Sequence, residues 1–117
     1  MKDSILYVED DIELVNILSL LLKSHFKHVY TAKDGEEGLK EYKKHLPDIV
    51  LSDFSMPNMN GIEMAKKIKD INKNQKIVLI SAYNSAEIRS QAEEVGIDSF
   101  LNKPLDFGDL LRVLEEL

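Results

Sequence analysis

Five times along this chain a short apolar run gives way to a longer segment with helical spacing, and few folds accept that rhythm. The runs are Ile5–Val8, Val29–Ala32, Ile49–Leu51, Ile77–Ile80 and Ser99–Leu101. Between and after them lie Ile12–Phe26, Glu36–His45, Ile62–Asn72, Ala86–Val95 and Phe107–Leu117. Strands that alternate with helices imply a parallel sheet with helices packed on both faces. The first, third and fourth runs are almost purely aliphatic, as central strands buried on both sides require. The last segment predicts a helix whose stripe Phe107, Leu110, Leu111, Leu114 and Leu117 is buried while Arg112, Glu115 and Glu116 face water. In the second, Gly38, Leu39 and Tyr42 form the buried side and Lys40, Glu41, Lys43 and Lys44 the wet side. Punctuation agrees. Asp34-Gly35 turns the chain into the second helix, and Pro47 stops that helix at His45. Asn60-Gly61 precedes the third, and Gly96 is a left-handed cap for the fourth. Asp11, Ser85 and Asp106 are the N-caps expected for the first, fourth and last helices. The 117 residues therefore read as one doubly wound (βα)5 domain of the α/β class, with no output domain in this sequence.

Charge and composition remove several functions. A formal net charge of −6 argues against direct binding to DNA or RNA, which needs cations to neutralise phosphates. With no cysteine there are neither disulfides nor thiolate metal sites. No apolar stretch approaches the roughly 18 residues of a membrane span, and the N-terminus is too short and acidic for a signal peptide. No membrane contact and a cytoplasmic location are the expectation.

In an open α/β sheet, ligands sit beyond the carboxyl ends of the strands. Here those ends carry the chemistry: Glu9-Asp10-Asp11 after the first strand, Asp53 after the third, Ser81 after the fourth and Lys103-Pro104 after the fifth. Crowded carboxylates repel and hold protons more tightly unless a cation intervenes. A hard divalent ion with octahedral oxygen preference, Mg2+ or alternatively Mn2+, relieves that repulsion. Asp10 and Asp53 are the expected direct ligands, Glu9 acts through a bound water, and the Ser55 carbonyl is a further ligand. Asp11 is left to helix capping. Lys103 would pair with the carboxylates and then hold a phosphoryl oxygen, and Pro104 makes a cis peptide plausible there. Ser81 offers a hydroxyl to another phosphoryl oxygen.

These residues, taken as segments, resemble a family. Ile5-Leu6-Tyr7-Val8-Glu9-Asp10-Asp11, the stretch Leu51-Ser52-Asp53-Phe54-Ser55-Met56-Pro57-Asn58-Met59-Asn60-Gly61, Ile80-Ser81-Ala82 and Asn102-Lys103-Pro104-Leu105 are similar to the receiver domain of two-component response regulators. The resemblance spans essentially the whole chain. It implies a flavodoxin-like sheet of strand order 2-1-3-4-5 and a phosphorylation-activated switch. Asp53 would accept a phosphoryl group from the phosphohistidine of a histidine kinase or a phosphotransfer protein. The metal set would be Glu9, Asp10, Asp53 and Ser55, with Ser81 and Lys103 as the catalytic partners of Asp53. It further implies that Ser81 moves on phosphorylation and that an aromatic on the fifth strand, here Phe100 where most relatives have tyrosine, fills the space left behind. Ser55 and Tyr83 would flank the path of an attacking water. The partner kinase would dock on the first helix, where Asn16 and Ser19 interrupt an aliphatic run. Downstream would come a partner protein or an output domain. A phosphorylation-dependent dimer belongs to the same family picture, but with Arg112 as its only cation the last helix does not favour the winged-helix type.

Two other readings compete. A haloacid dehalogenase-type phosphatase or phosphotransferase also uses a strand-end Asp and Mg2+, but it needs a second acid two residues on, where this chain has Ser55. A flavodoxin-like cofactor carrier fails on charge, because Glu9-Asp10-Asp11 would repel a flavin phosphate. The receiver resemblance therefore implies a regulatory phosphoacceptor, not a metabolic enzyme, that would catalyse only its own phosphorylation and dephosphorylation.

Overall fold

The computed structural model describes residues 3–83 and 85–117. Five strands and five helices alternate: β1 (Ser4–Val8), α1 (Ile12–Lys23), β2 (His28–Ala32), α2 (Gly35–His45), β3 (Ile49–Asp53), α3 (Gly61–Ile71), β4 (Lys76–Ser81), α4 (Ala86–Val95), β5 (Ser99–Asn102) and α5 (Phe107–Glu116). All strand pairs are parallel and the sheet runs β2-β1-β3-β4-β5, the expected order.

The unbroken aliphatic runs follow from cover on both faces. Ile5 and Tyr7 of β1, Ile49 and Leu51 of β3, and Val78 and Ile80 of β4 pack with Leu18 and Leu22 of α1 and Leu110 and Leu114 of α5. Residues of the opposite parity, Leu6, Val8, Val50 and Ile77, pack with Tyr42 of α2 and Met64, Ala65 and Ile68 of α3. A smaller cluster of Ile62, Leu79 and Ala92 extends that second layer to α4. Strand side chains alternate between faces, so a position's parity decides which helices it meets.

The caps are those expected. Asp11 accepts from the Glu13 and Leu14 amides, Asp34 from Glu37, Ser85 from Ile88 and Asp106 from Asp109. Asn60 and Glu63 form a reciprocal capping box at α3. Gly96 closes α4 with φ 91°, a conformation that costs a residue with a Cβ.

Two details of the helix ends differ from the sequence reading. First, α1 stops at Lys23, because the Ser24 amide and hydroxyl both donate to the Leu21 carbonyl, while Phe26 turns back onto the core. Second, Phe107 is 40% exposed; it opens α5 beyond the strand ends, and Val113 packs against the core instead. Two histidines have places in the fold. His28 begins β2, and the half-buried His45 stacks on the Tyr30 ring with centroids 3.7 Å apart.

Candidate functional site

Register brings the strand ends level. Val8 lies beside Ser52, Asp53 beside Ile80 and Ser81 beside Asn102. The residues after β1 and β5 therefore flank Asp53, which is itself the last residue of β3 and 4% exposed. Parity does the rest. Tyr7 and Glu9 share one face of the sheet, as do Leu51 and Asp53, so the two acids approach each other over the α1–α5 layer.

Carboxylate oxygens of Glu9, Asp10 and Asp53 all lie within 4.8 Å of one another. Glu9 and Asp53 are buried and Asp10 is exposed, so the cluster is open on one side. The Lys103 ammonium stands 3.3 Å from Asp53 Oδ2 and 3.7 Å from Glu9 Oε1. Its peptide to Pro104 is cis, and its amide donates to the Ser81 carbonyl at 2.9 Å, tying the ends of β4 and β5 together. On the far side, α3 closes tightly on the acid. The Gly61 amide donates to the Phe54 carbonyl, and a Cβ at Gly61 would fall 2.6 Å from the Asp53 carbonyl oxygen. Only glycine allows that approach.

Electrostatics are uneven across the cluster. Burial, and then the neighbouring Asp53 carboxylate, push the Glu9 acid up to about 7, against the opposing pull of Lys103 and the Asp11 amide. Burial works against the Lys103 charge, but the Asp53 and Glu9 carboxylates outweigh it and hold its proton more tightly than an ordinary lysine's. Tyr7, buried and 3.5 Å from Glu9 Oε1, is shifted upward by burial first and by the acids second. Burial and a neighbouring carboxylate raise the proton affinity of Glu9, and a cation held between the acids would oppose both effects. The cluster's donors are all oxygen, so the set fits a hard divalent ion.

The other expected residues fall into two groups. Ser81 ends β4 fully buried, and its Oγ accepts the Tyr83 amide at 2.9 Å. Phe100 is half-buried beside Leu79 on the same face as Ser81. Ser55 is exposed on the loop after Asp53. Tyr83 is 56% exposed, with its ring edge-on to Phe54 at 6.3 Å. On α1 the expected polar interruption is only half exposed: Asn16 faces water, but Ser19 turns inward and its hydroxyl has no partner among the described residues. The exposed surface there is apolar, with Ile12, Ile17 and Leu20 at 73%, 56% and 72%. Sequence reasoning missed this, although the signal was present: α1 is apolar around more than one stripe, and a single buried face needs only one. Tyr7 was also missed; its place two residues before Glu9 on a strand was the clue.

A doubly wound sheet with an acid cluster, a lysine and a hydroxyl at its carboxyl edge defines a class of proteins equipped to handle a phosphoryl group beside a cation. Comparison with known proteins narrows that class. The family model of the response regulator receiver domain matches residues 5–115. Transcriptional regulatory protein ZraR of Escherichia coli (strain K12) is 37% identical over 112 residues, 96% of this chain and 25% of that protein. The N-terminal domain of an uncharacterized protein from Wolinella succinogenes superposes with TM-score 0.91 at 37% identity, covering 97% of this chain and 92% of that one. CheY of the Borrelia burgdorferi CheX-CheY-BeF3-Mg complex gives TM-score 0.91 at 32% identity, covering 97% and 87%. The chain belongs to the response regulator receiver domains. It spans about a quarter of the length of ZraR. Nothing in the fold or the comparisons favours a haloacid dehalogenase-type enzyme, and no helix among the described residues is long and apolar enough to cross a membrane.

Proposed function

We propose that Asp53 is the phosphoacceptor of this receiver domain. The observation that carries the reading is the convergence of Glu9, Asp10 and Asp53 within 4.8 Å, with the Lys103 ammonium 3.3 Å from Asp53. Asp10, Asp53 and the Ser55 carbonyl would hold Mg2+, with Glu9 acting through a water; Mn2+ suits the same oxygen donors. The ion would supply charge neutralisation at the phosphoryl oxygens. An Asp53 carboxylate oxygen attacks phosphorus, the O–P bond forms, and the P–N bond of the phosphohistidine breaks with its electron pair left on the imidazole. Lys103 balances negative charge on the transferred group, and the Ser81 hydroxyl donates to one of its oxygens. Phosphoryl transfer asks the protein mainly for position and charge, and these residues offer both.

The donor is a histidine kinase or a phosphotransfer protein, and the output is a separate protein or another domain. The net charge of −6 leaves any contact with nucleic acid to that partner. A cytoplasmic location suits these roles. Ile12, Ile17 and Leu20 give the donor an exposed apolar surface on α1, the helix that starts at the site. Leu20→Asp is expected to slow phosphotransfer from the kinase at least about tenfold, as loss of one apolar anchor does. Labelling by acetyl phosphate, which needs no docking, should be unchanged; equal loss with both donors would sink the docking face.

The direct test is the intact mass of the protein after incubation with acetyl phosphate. A gain of one phosphoryl group in Mg2+, and none in EDTA, is expected. No gain from acetyl phosphate or from any histidine kinase would overturn the assignment.

A further inference from the structure

Phe100 is held from two sides. Below, it packs on the Ile62, Leu79 and Ala92 cluster. Above, the Arg89 guanidinium of α4 lies with Cζ 4.7 Å from the ring centroid, within the distance at which a cation is attracted to an aromatic face. Parity places Ser81, Leu79 and Phe100 on the same side of the sheet, the side on which Ala92 of α4 packs. In this arrangement the Ser81 hydroxyl is engaged by the Tyr83 amide. Phenylalanine has no hydroxyl through which a neighbour could hold it, so only its faces and edge are available for recognition. A cation on the ring face is the polar restraint such a residue can have.

We propose that Arg89 is a positioning residue that latches Phe100 in the unphosphorylated arrangement, and so sets how readily this domain switches. The inference rests on the receiver reading above. The receiver resemblance implies that on phosphorylation the ring moves into space vacated by Ser81; such a movement would take it out from under the guanidinium, so the latch would oppose the active state. A ligand shifts a two-state equilibrium only by its differential affinity, and any contact made in one state alone is subtracted from that shift. At a partly exposed site, a cation–π contact corresponds to about a two- to fivefold change in an equilibrium constant.

The test is a double-mutant cycle on beryllofluoride affinity in saturating Mg2+, measured by calorimetry for wild type, Arg89→Ala, Phe100→Leu and the double variant. Arg89→Ala is expected to bind beryllofluoride about two- to fivefold more tightly than wild type. In the Phe100→Leu background, which keeps apolar volume but removes the ring, the same substitution should change nothing. An Arg89 that merely supports α4 would have equal effects in both backgrounds, and that result overturns the latch. Unchanged or weaker binding by Arg89→Ala also overturns it while leaving the receiver reading standing. If wild type itself binds no beryllofluoride, the receiver reading fails and the latch with it.

Discussion

Asp53→Asn is expected to abolish phosphoryl incorporation from acetyl phosphate and from any histidine kinase, while the protein stays folded. An amide oxygen does not replace a carboxylate as nucleophile, and no other acid takes its place. Asp10 is exposed at the open side of the cluster, and Glu9 is buried, hydrogen-bonded to the Asp11 amide and paired with Lys103. The fold should survive because the side chains are nearly isosteric. The backbone contacts of Asp53 also do not involve its carboxylate: the Ser52 hydroxyl donates to its carbonyl, and Phe54 bonds to Ile80. Mg2+ should bind more weakly to the variant, since one ligand loses its charge. Intact mass, circular dichroism and a Mg2+ titration read the three consequences separately. A phosphoryl group found on Asp53→Asn would remove Asp53 from its assigned role.

The second large effect is a pH dependence of metal binding. With its proton affinity raised to about 7, Glu9 is protonated in the metal-free protein under mildly acid conditions. Mg2+ beside it favours loss of that proton, so affinity should fall by up to about tenfold per pH unit below 7 and level off above it. Stability without metal should move the opposite way. The folded-state value lies above the ordinary 4.5, so the folded protein binds more protons than the unfolded chain between 4.5 and about 7. Its contribution is fully present below 4.5 and is lost as pH rises through 7, with a slope of up to roughly 1.4 kcal/mol per unit. Denaturant midpoints in EDTA should therefore decline across that window. Glu9→Gln, which cannot titrate, should flatten both curves. Equal Mg2+ affinity at pH 5.5 and pH 8 would show that Glu9 carries no such proton.

Much of this was legible in the chain. The five-fold alternation of apolar runs and helical segments predicted every element, because burial on both faces demands continuous aliphatic strands. Strand ends proved harder to place. Ser52, Asp53 and Ser81 are polar residues inside strands, so hydrophobicity ended β3 and β4 too early. The site residues were legible as types at strand ends, but the proton shared into Glu9 was not. That shift depends on desolvation, which no local pattern reports. Ser19 shows the same limit from the other side: it reads as a polar break on an exposed face, yet helix rotation buries it and turns Ile17 and Leu20 outward.

The order of elements, their caps and the kinds of side chain at each strand end can all be read from the chain alone. These are set by propensity, periodicity and short-range hydrogen bonds, all of which act within a few residues. The tertiary structure alone decided that Glu9, Asp10 and Asp53 meet, that Lys103 reaches them, that Gly61 must lack a side chain and that Arg89 covers Phe100. Those are contacts between different elements of the fold, fixed by strand register and by which helix each face of the sheet receives.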